Sequence, residues 1–398
     1  MPDFKSLAGR IPVAPLKLMV MDSASELGES VNRHISSFRK EDHDITNRDP
    51  VFSDYILDDY RIDFDLSRFD TGEGHAVINE TVRGKDVFLL LDVMNHSVTY
   101  EMHGYQNFKS PDDHYTDLKR LIGAINGKAK RLNVIMPFLY EGRQHKRSGR
   151  ESLDAALMIE EMRDMNVKNF ITFDAHDPRI SNASPLGGFD NFLASYQFLK
   201  ALLTSVDDLT VDKDHLIVIS PDEGALDRAV YFANVLRADT GMFYKRRDYT
   251  RIVNGSNPIV AHEFLGSDIR GKDVIIIDDM ISSGGSMIDT AKQLKDMGAK
   301  RVFICTTFGL FTDGLKRFDK AYEAGGFDKI ICTNLTYQLP ELYERPYYQQ
   351  ADMGKFLAAI IDFINHDASI GNVIEPTEKI HQFLEKYNEG VLTESAMD

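Results

Sequence analysis

The pentapeptide Arg-Gly-Lys-Asp-Val occurs twice in this chain, at Arg83–Val87 and Arg270–Val274, each time leading into an apolar run, VFLLLDV or VIIIDDM. The tripeptide Ala-Lys-Arg follows both copies: Ala129–Arg131 opens LNVIMPF and Ala299–Arg301 opens VFICTTF, each after a helical stretch closed by Gly127 or Gly298. Strand, loop, helix, glycine stop and strand therefore recur. Such a unit gives parallel strands joined by helical crossovers. Two of them predict an α/β chain with two similar domains, each a mainly parallel sheet flanked by helices. At 398 residues, 43% of them hydrophobic, the chain is long enough for two full cores.

The second copy carries the chemistry. In KDVIIIDDMISSGGSMI, Lys272–Ile288, the residues Val274–Ile277 are apolar without alternation, as in a strand buried on both faces. Asp278 and Asp279 are expected to leave that strand together, followed by a turn of Ser282, Ser283, Gly284, Gly285 and Ser286 rich in N–H groups and hydroxyls. A helix over about Met287–Met297, stopped by Gly298, then aims its positive end at the turn. Such a turn cradles a phosphate. The two carboxylates would repel an anion, so they suit ribose hydroxyls or a Mg²⁺ ion bridging to phosphate oxygens. Plain strand-to-helix connection chemistry is the competing reading of this motif alone. In the first copy the loop becomes LDVMNHSVTYEMHGYQNFKSPDDH, without paired aspartates or the Ser/Gly turn. GSDIRGKD at Gly266–Asp273 has nucleotide P-loop spacing, but its glycines precede the strand, and it reads as a turn.

A net charge of −16 argues against a protein that coats nucleic acid or an anionic membrane, so cationic clusters stand out as local sites for a polyanionic ligand. Cys305 and Cys332, the only cysteines, lie in apolar runs and read as buried small side chains, not a disulfide framework or a metal knuckle. Ile11–Met21 is apolar, but Pro12, Pro15 and Lys17 leave it too short and interrupted for a membrane span or signal, and a cytoplasmic enzyme is expected. A helix is predicted over about Glu26–Phe38, Arg39–Arg61 reads as a charged surface excursion, and a last helix covers Met353–Ile364 before a polar tail without signal.

Four further clusters sit at strand ends or loops. ITFDAHD puts Asp174 and His176 past a strand, where a lone histidine is more often a hydrogen-bonded bystander than a ligand. SPDEGALDRA puts Asp222 at a helix start, where a plain cap is an even alternative. MFYKRRDYT places Lys245, Arg246 and Arg247 after an apolar strand; such runs are usually solvated, but phosphoryl transfer needs cations at the transferred group. MPFLYEGRQHKRSGRES supplies Arg143, Gln144, His145, Lys146, Arg147 and Arg150, with Glu73 of FDTGE as a companion.

In order and spacing these clusters resemble the ribose-phosphate pyrophosphokinases, also called 5-phosphoribosyl-1-pyrophosphate synthetases, over about Leu16–Ile364. FDTGE and INETVRGKDVF look like that family's FxDGE and NVRG segment, which holds the adenine of ATP from a neighbouring subunit. The resemblance thus implies ATP contacts at Phe69, Thr71, Gly72, Glu73, Arg143 and Gln144. FDAHD is similar to VDLHA, which implies that His176, with Asp222, binds Mg²⁺. YKRR resembles the catalytic flexible loop, with Lys245 the catalytic lysine and Arg247 a contact to the sugar phosphate. DDMISSGGS is similar to DDMIDTGGT, which binds ribose 5-phosphate; Asp278, Asp279 and Ser282–Ser286 take that role. The implied fold is two phosphoribosyltransferase-like domains. The first covers 15–185 plus 345–398, with insertions near 40–61 and 96–113, and the second covers 186–344.

The implied reaction is Mg²⁺-dependent conversion of ATP and ribose 5-phosphate to 5-phosphoribosyl 1-diphosphate and AMP, for nucleotide biosynthesis. The implied assembly is a homo-oligomer built on dimers, a hexamer being one candidate. Ser282 replaces an aspartate, Ser283 a threonine, Thr71 an aspartate, and His145 the acid after Arg-Gln. The competing readings are a phosphoribosyltransferase, which DDMISSGGS alone fits equally well, and an inactive regulatory relative. The second α/β domain and the KRR loop weigh against the former, and retention of Lys245 and Arg247 against the latter.

Overall fold

The structure, a computed structural model, describes residues 7, 10–46, 53–247, 259–371 and 377–389. The chain divides into two units, residues 1–193, 334–337 and 352–375 in the first, and residues 194–333, 338–351 and 376–398 in the second.

The first unit is built on five strands, β1 (Leu16–Val20), β4 (Asp86–Leu90), β7 (Arg131–Ile135), β8 (Asn169–Phe173) and β9 (Gly188–Phe192), in the order β1-β4-β7-β8-β9 and all parallel. Helices α1 (Ser25–Thr46), α2 (Pro111–Ile125), α3 (Asp154–Asp164) and the helix Gly354–Asn365 accompany it. Two hairpins complete the unit: β2 (Phe64–Arg68) with β3 (Gly74–Ile78), and β5 (Thr99–Met102) with β6 (Tyr105–Phe108). Helix α2 is started by its own first residues. Ser110 and Asp113 form a reciprocal capping box, Pro111 occupies the first turn, and Asn126 closes the helix at φ 52°.

The second unit holds β10 (Leu216–Ser220), β11 (Asp239–Arg247), β12 (Ile259–Leu265), β13 (Asp273–Ile281), β14 (Arg301–Gly309), β15 (Lys329–Thr333) and β16 (Tyr348–Ala351), in the order β12-β11-β10-β13-β14-β15-β16. All neighbours are parallel except β11 and β12. Its helices are α4 (Ser195–Ser205), α5 (Leu226–Leu236), α6 (Gly285–Asp296), α7 (Lys316–Glu323) and Thr377–Asn388. From β10 the chain winds toward β11 and β12; from β13 it winds the other way, through β14 to β16. The boundary between β10 and β13 is therefore a topological switch point, the place where open α/β sheets bind ligands past the carboxyl ends of their strands.

The repeated sequence is a structural bracket at the opposite ends of the strands. In register, Asp86 faces Arg131 across β4 and β7, and Asp273 faces Arg301 across β13 and β14; each pair closes an ion pair at 2.6 Å. Gly84 N–H donates to the carbonyl of Lys128 as Gly271 N–H does to that of Gly298, and Lys130 N–H donates to the carbonyl of Lys85 as Lys300 N–H does to that of Lys272. Gly84 and Gly271 both hold positive φ, 71° and 74°, which glycine adopts without Cβ strain.

Several sequence expectations are corrected. Asp278 and Asp279 do not leave β13: the strand runs on to Ile281, with Asp278 opposite Thr306 and Met280 opposite Phe308, because the neighbouring strand β14 extends equally far. Arg39 is not part of a surface excursion. It lies on α1, 1% exposed, and donates to Asp362 and Asn365, so a partner more than 300 positions away compensates its buried charge. Residues 345–351, expected with the first domain, include β16 at the edge of the second sheet. The tail holds the helix Thr377–Asn388, which buries Ile380 and Phe383 in the second unit, and His381 Nε2 lies 3.0 Å from the carbonyl of Val235. Lys245 and Arg247, expected on a loop, stand on β11, in register with His262 and Ile259 of β12. Residues 248–258 of the expected loop lie outside the described residues.

Candidate functional site

The second unit gathers its chemistry at the switch point. Ser220 ends β10, Asp222 follows it, and the Asp222 carboxylate accepts from Gly224 N–H at 3.0 Å, capping the short turn before α5. Across the switch point, β13 brings up Asp279, 3% exposed, and the partly buried Asp278. Arg228 on α5 approaches Asp278 to 3.8 Å. Burial, reinforced by the charges of Asp279 and Asp222, pushes the Asp278 carboxyl well above the usual carboxylate range, and Arg228 only partly offsets them. Asp222, Asp278 and Asp279 thus gather carboxylates beside the Arg228 guanidinium. Such a group suits ribose hydroxyls or a divalent cation.

Beyond β13, Ser282 and Ser283 turn the chain into α6. Gly284 caps the helix at φ 81°, and the N-terminal N–H groups of α6 open toward the turn. A Cβ on Gly284 would lie 2.0 Å from Cζ of the fully buried Phe318. Gly284→Ala is therefore expected to cost about 2–4 kcal/mol from overpacking and φ strain together, read as a lowered urea midpoint. A Cβ on Gly285 would meet Arg317 Nη1 at 2.7 Å, so α7 sets a guanidinium against the same turn. Neither Arg228, in the first turn of α5 after Asp222, nor Arg317, in the first turn of α7, is singled out by the sequence motifs.

Strand β11 pairs with β10 only through Asp239–Met242, and past Met242 it pairs with β12 alone. Lys245 and Arg247 therefore ride a two-stranded ribbon that projects from the same sheet edge as Asp222 and the β13 carboxylates.

In the first unit, Phe69, Thr71, Gly72 and Glu73 form the tip of the β2–β3 hairpin. Gly72 N–H donates to the carbonyl of Phe69, Phe69 N–H to that of Glu73, and Thr71 Oγ1 to Glu73 Oε2 at 2.7 Å. Gly72 has φ 91°, and a Cβ there would sit 2.3 Å from Met102 Sδ. Phe69 is 55% exposed and packs on His75 with ring centroids 5.5 Å apart. The hairpin is anchored beside its tip by Arg68, which donates to both oxygens of the buried Asp117 on α2, at 2.7 and 2.8 Å. Arg143 is exposed after β7, and the Gln144 amide donates to the carbonyls of Lys146 and Ser152, holding that loop. Next to them, His145 Nε2 lies 3.2 Å from Asp177 Oδ2, and its ring centroid is 5.6 Å from that of the exposed His176. Among the described residues no three His, Cys, Asp or Glu side chains converge to hold a metal unaided.

Residues 16–165 match the family profile of the N-terminal domain of ribose phosphate pyrophosphokinase, and residues 191–334 match that of the phosphoribosyl transferase domain. The chain belongs to the ribose-phosphate pyrophosphokinase family. The ribose-phosphate pyrophosphokinase of Corynebacterium glutamicum is 29% identical over 308 residues, 77% of this chain and 86% of that protein. The one from Pasteurella multocida is 28% identical over 77% of this chain and 90% of its own length. The crystal structure of phosphoribosylpyrophosphate synthetase from Mycobacterium smegmatis shares the fold, with a TM-score of 0.66 and 23% identity, covering 89% of this chain and 99% of that one. Two α/β domains in the order of a ribose-phosphate pyrophosphokinase thus account for the duplicated bracket. No helix among the described residues is long and apolar enough to cross a membrane.

Proposed function

We propose that this chain transfers the β,γ-diphosphoryl group of ATP to the anomeric hydroxyl of ribose 5-phosphate, giving 5-phospho-α-D-ribose 1-diphosphate and AMP. The observation that carries the reading is the switch-point assembly of Asp278, Asp279 and the Ser282–Ser286 turn on the N-terminus of α6, in a chain that also has the pyrophosphokinase N-terminal domain. A plain phosphoribosyltransferase accounts for the first and leaves the second unexplained.

The acceptor half is built from backbone first. N–H groups of Ser283–Ser286 and the serine hydroxyls hold the 5-phosphate, with Arg247 as a further cation. Asp278 and Asp279 hold ribose hydroxyls and so orient O1. O1 then attacks the β-phosphorus, the bond from that phosphorus to the α,β-bridging oxygen breaks, and the hydroxyl proton leaves to solvent. Lys245 neutralises charge on the transferred group as the leaving oxygen departs.

The ATP half uses Phe69, Thr71, Gly72 and Glu73, with Arg143 and Gln144; Phe69, exposed and aromatic, offers a stacking face for adenine. A hairpin so presented serves a second subunit, and a dimer-based homo-oligomer is the proposed assembly. Mg²⁺ suits this group of carboxylates, with Asp222 in the second unit and His176 in the first each proposed as a ligand. When bound, it neutralises phosphate oxygens that supply the remaining ligands. The cytoplasm is the proposed compartment, in keeping with two buried free cysteines.

The test is the purified chain with ATP, ribose 5-phosphate and Mg²⁺. AMP formed only when ribose 5-phosphate is present supports the proposal. Absence of AMP, with pyrophosphate release from the phosphoribosyl diphosphate and a nucleobase, would establish the transferase instead.

A further inference from the structure

We propose that His145 turns the cation position beside His176 into a nitrogen-donor site that selects first-row transition ions such as Co²⁺ over Mg²⁺. This deepens the diphosphoryl-transfer reading and rests on it for the purpose of that ion.

His145 is only 12% exposed, and its Nε2 faces Asp177 Oδ2 at 3.2 Å. A ring nitrogen facing a carboxylate carries the hydrogen, so the other nitrogen presents its lone pair. That atom, Nδ1, is buried and has no hydrogen-bond partner among the described residues. An orphaned buried acceptor is costly unless something else satisfies it. Asp177 is itself fixed, receiving Arg179 Nε at 2.9 and 3.1 Å and Arg179 N–H at 2.9 Å, so it holds the imidazole in one orientation. Carboxylate, imidazole and unsatisfied lone pair in series are the usual arrangement behind a metal-ligating histidine.

The second donor is at hand. The His176 ring is 5.6 Å away, centroid to centroid, and inclined at 56°. Two imidazoles that share one ion at metal–nitrogen bonds of ~2.1 Å bring their centroids to roughly 5 Å, a small side-chain adjustment from this spacing. Imidazole suits Mn²⁺, Co²⁺ and Zn²⁺, whereas Mg²⁺ favours oxygen and sheds water reluctantly. Because no third protein ligand converges among the described residues, water or phosphate oxygens complete the coordination.

The experiment titrates the full chain, free of any histidine tag, with Co²⁺ alone and Mg²⁺ alone, followed by calorimetry and the visible absorption of Co²⁺. Wild type is expected to bind Co²⁺ more tightly than Mg²⁺, with a spectrum showing nitrogen ligation. His145→Ala is expected to weaken Co²⁺ by about 10- to 100-fold and to change Mg²⁺ less than twofold. His145→Asp, which puts an oxygen donor in place of the nitrogen, is expected to reverse the preference. Co²⁺ affinity within twofold of wild type in both variants, or a wild type that prefers Mg²⁺, overturns the proposal. AMP formation under Mg²⁺ is measured alongside. AMP without Co²⁺ selectivity sinks this inference alone, whereas His145-dependent Co²⁺ selectivity without AMP upholds the site and sinks the reaction.

Discussion

Lys245→Ala is expected to lower the rate of AMP formation by about 10²- to 10³-fold, the loss typical of removing one preorganised charge from a phosphoryl-transfer or oxyanion site. The expectation follows from strand geometry. Past Met242, β11 leaves β10 behind and runs with β12 beyond the carboxyl edge of the sheet, carrying Lys245 to the side where Asp222, Asp278 and the Ser282–Ser286 turn converge. Against a net charge of −16, a cation at that edge has to be placed locally. The loss should appear in kcat, with the KM for ribose 5-phosphate changed far less, because the acceptor is held by the β13 and α6 groups. A variant within a few-fold of wild type would contradict the role assigned to Lys245.

Asp117→Ala is expected to destabilise the first unit by about 3–5 kcal/mol, since breaking a buried charge network strands the partners left behind. Asp117 is fully buried and accepts from Arg68, from Lys109 at 3.0 Å and from Arg120 at 2.7 Å. Arg68 and Lys109 have side chains only 6% and 7% exposed, so neither can turn to water when the carboxylate is lost. Burial works to raise the Asp117 carboxyl, but hydrogen bonds and charges from Arg68 and Lys109 outweigh it and hold the group below the usual range. Its contribution is therefore present above the unfolded carboxylate pKa of about 4 and is lost as pH falls through the lowered folded value. Urea unfolding should show the wild-type advantage at pH 7 shrinking as the pH is lowered below that range. An equal difference between wild type and variant at both ends of the titration would contradict the network. Because Arg68 ends β2, the variant should also loosen the Phe69–Glu73 tip and raise the KM for ATP.

What could be read from residues alone follows the range of the forces involved. The repeat was legible because its partners are local: Asp86 with Arg131 and Asp273 with Arg301 are joined by one crossover each. The turn from β13 into α6 was legible for the same reason, since Gly284, the serines and the helix that caps on them are contiguous. Arg39 was misread because its charge is balanced by Asp362, remote in sequence, and nothing near Arg39 signals burial. The length of β13 was misread because aspartates rarely prolong strands, and only the ladder to β14 makes Asp278 and Asp279 part of one. The first copy keeps more of its twin than the loop suggests. Asp92 stands where the second copy has Asp279, but it is buried and accepts from the N–H groups of Met94 and Tyr337. Burial pushes its carboxyl up to about 7 against those two donors.

The central claim is that an intact diphosphoryl unit moves from ATP to O1 of ribose 5-phosphate. Phosphorus NMR of the reaction mixture tests it directly, using ATP that carries oxygen-18 on the non-bridging oxygens of its β-phosphoryl group. The label is expected in a diphosphate attached to C1 of the sugar phosphate, with AMP unlabelled and formed in equal amount. Label recovered in ADP, or in free pyrophosphate with ribose 5-phosphate unconsumed, would contradict it.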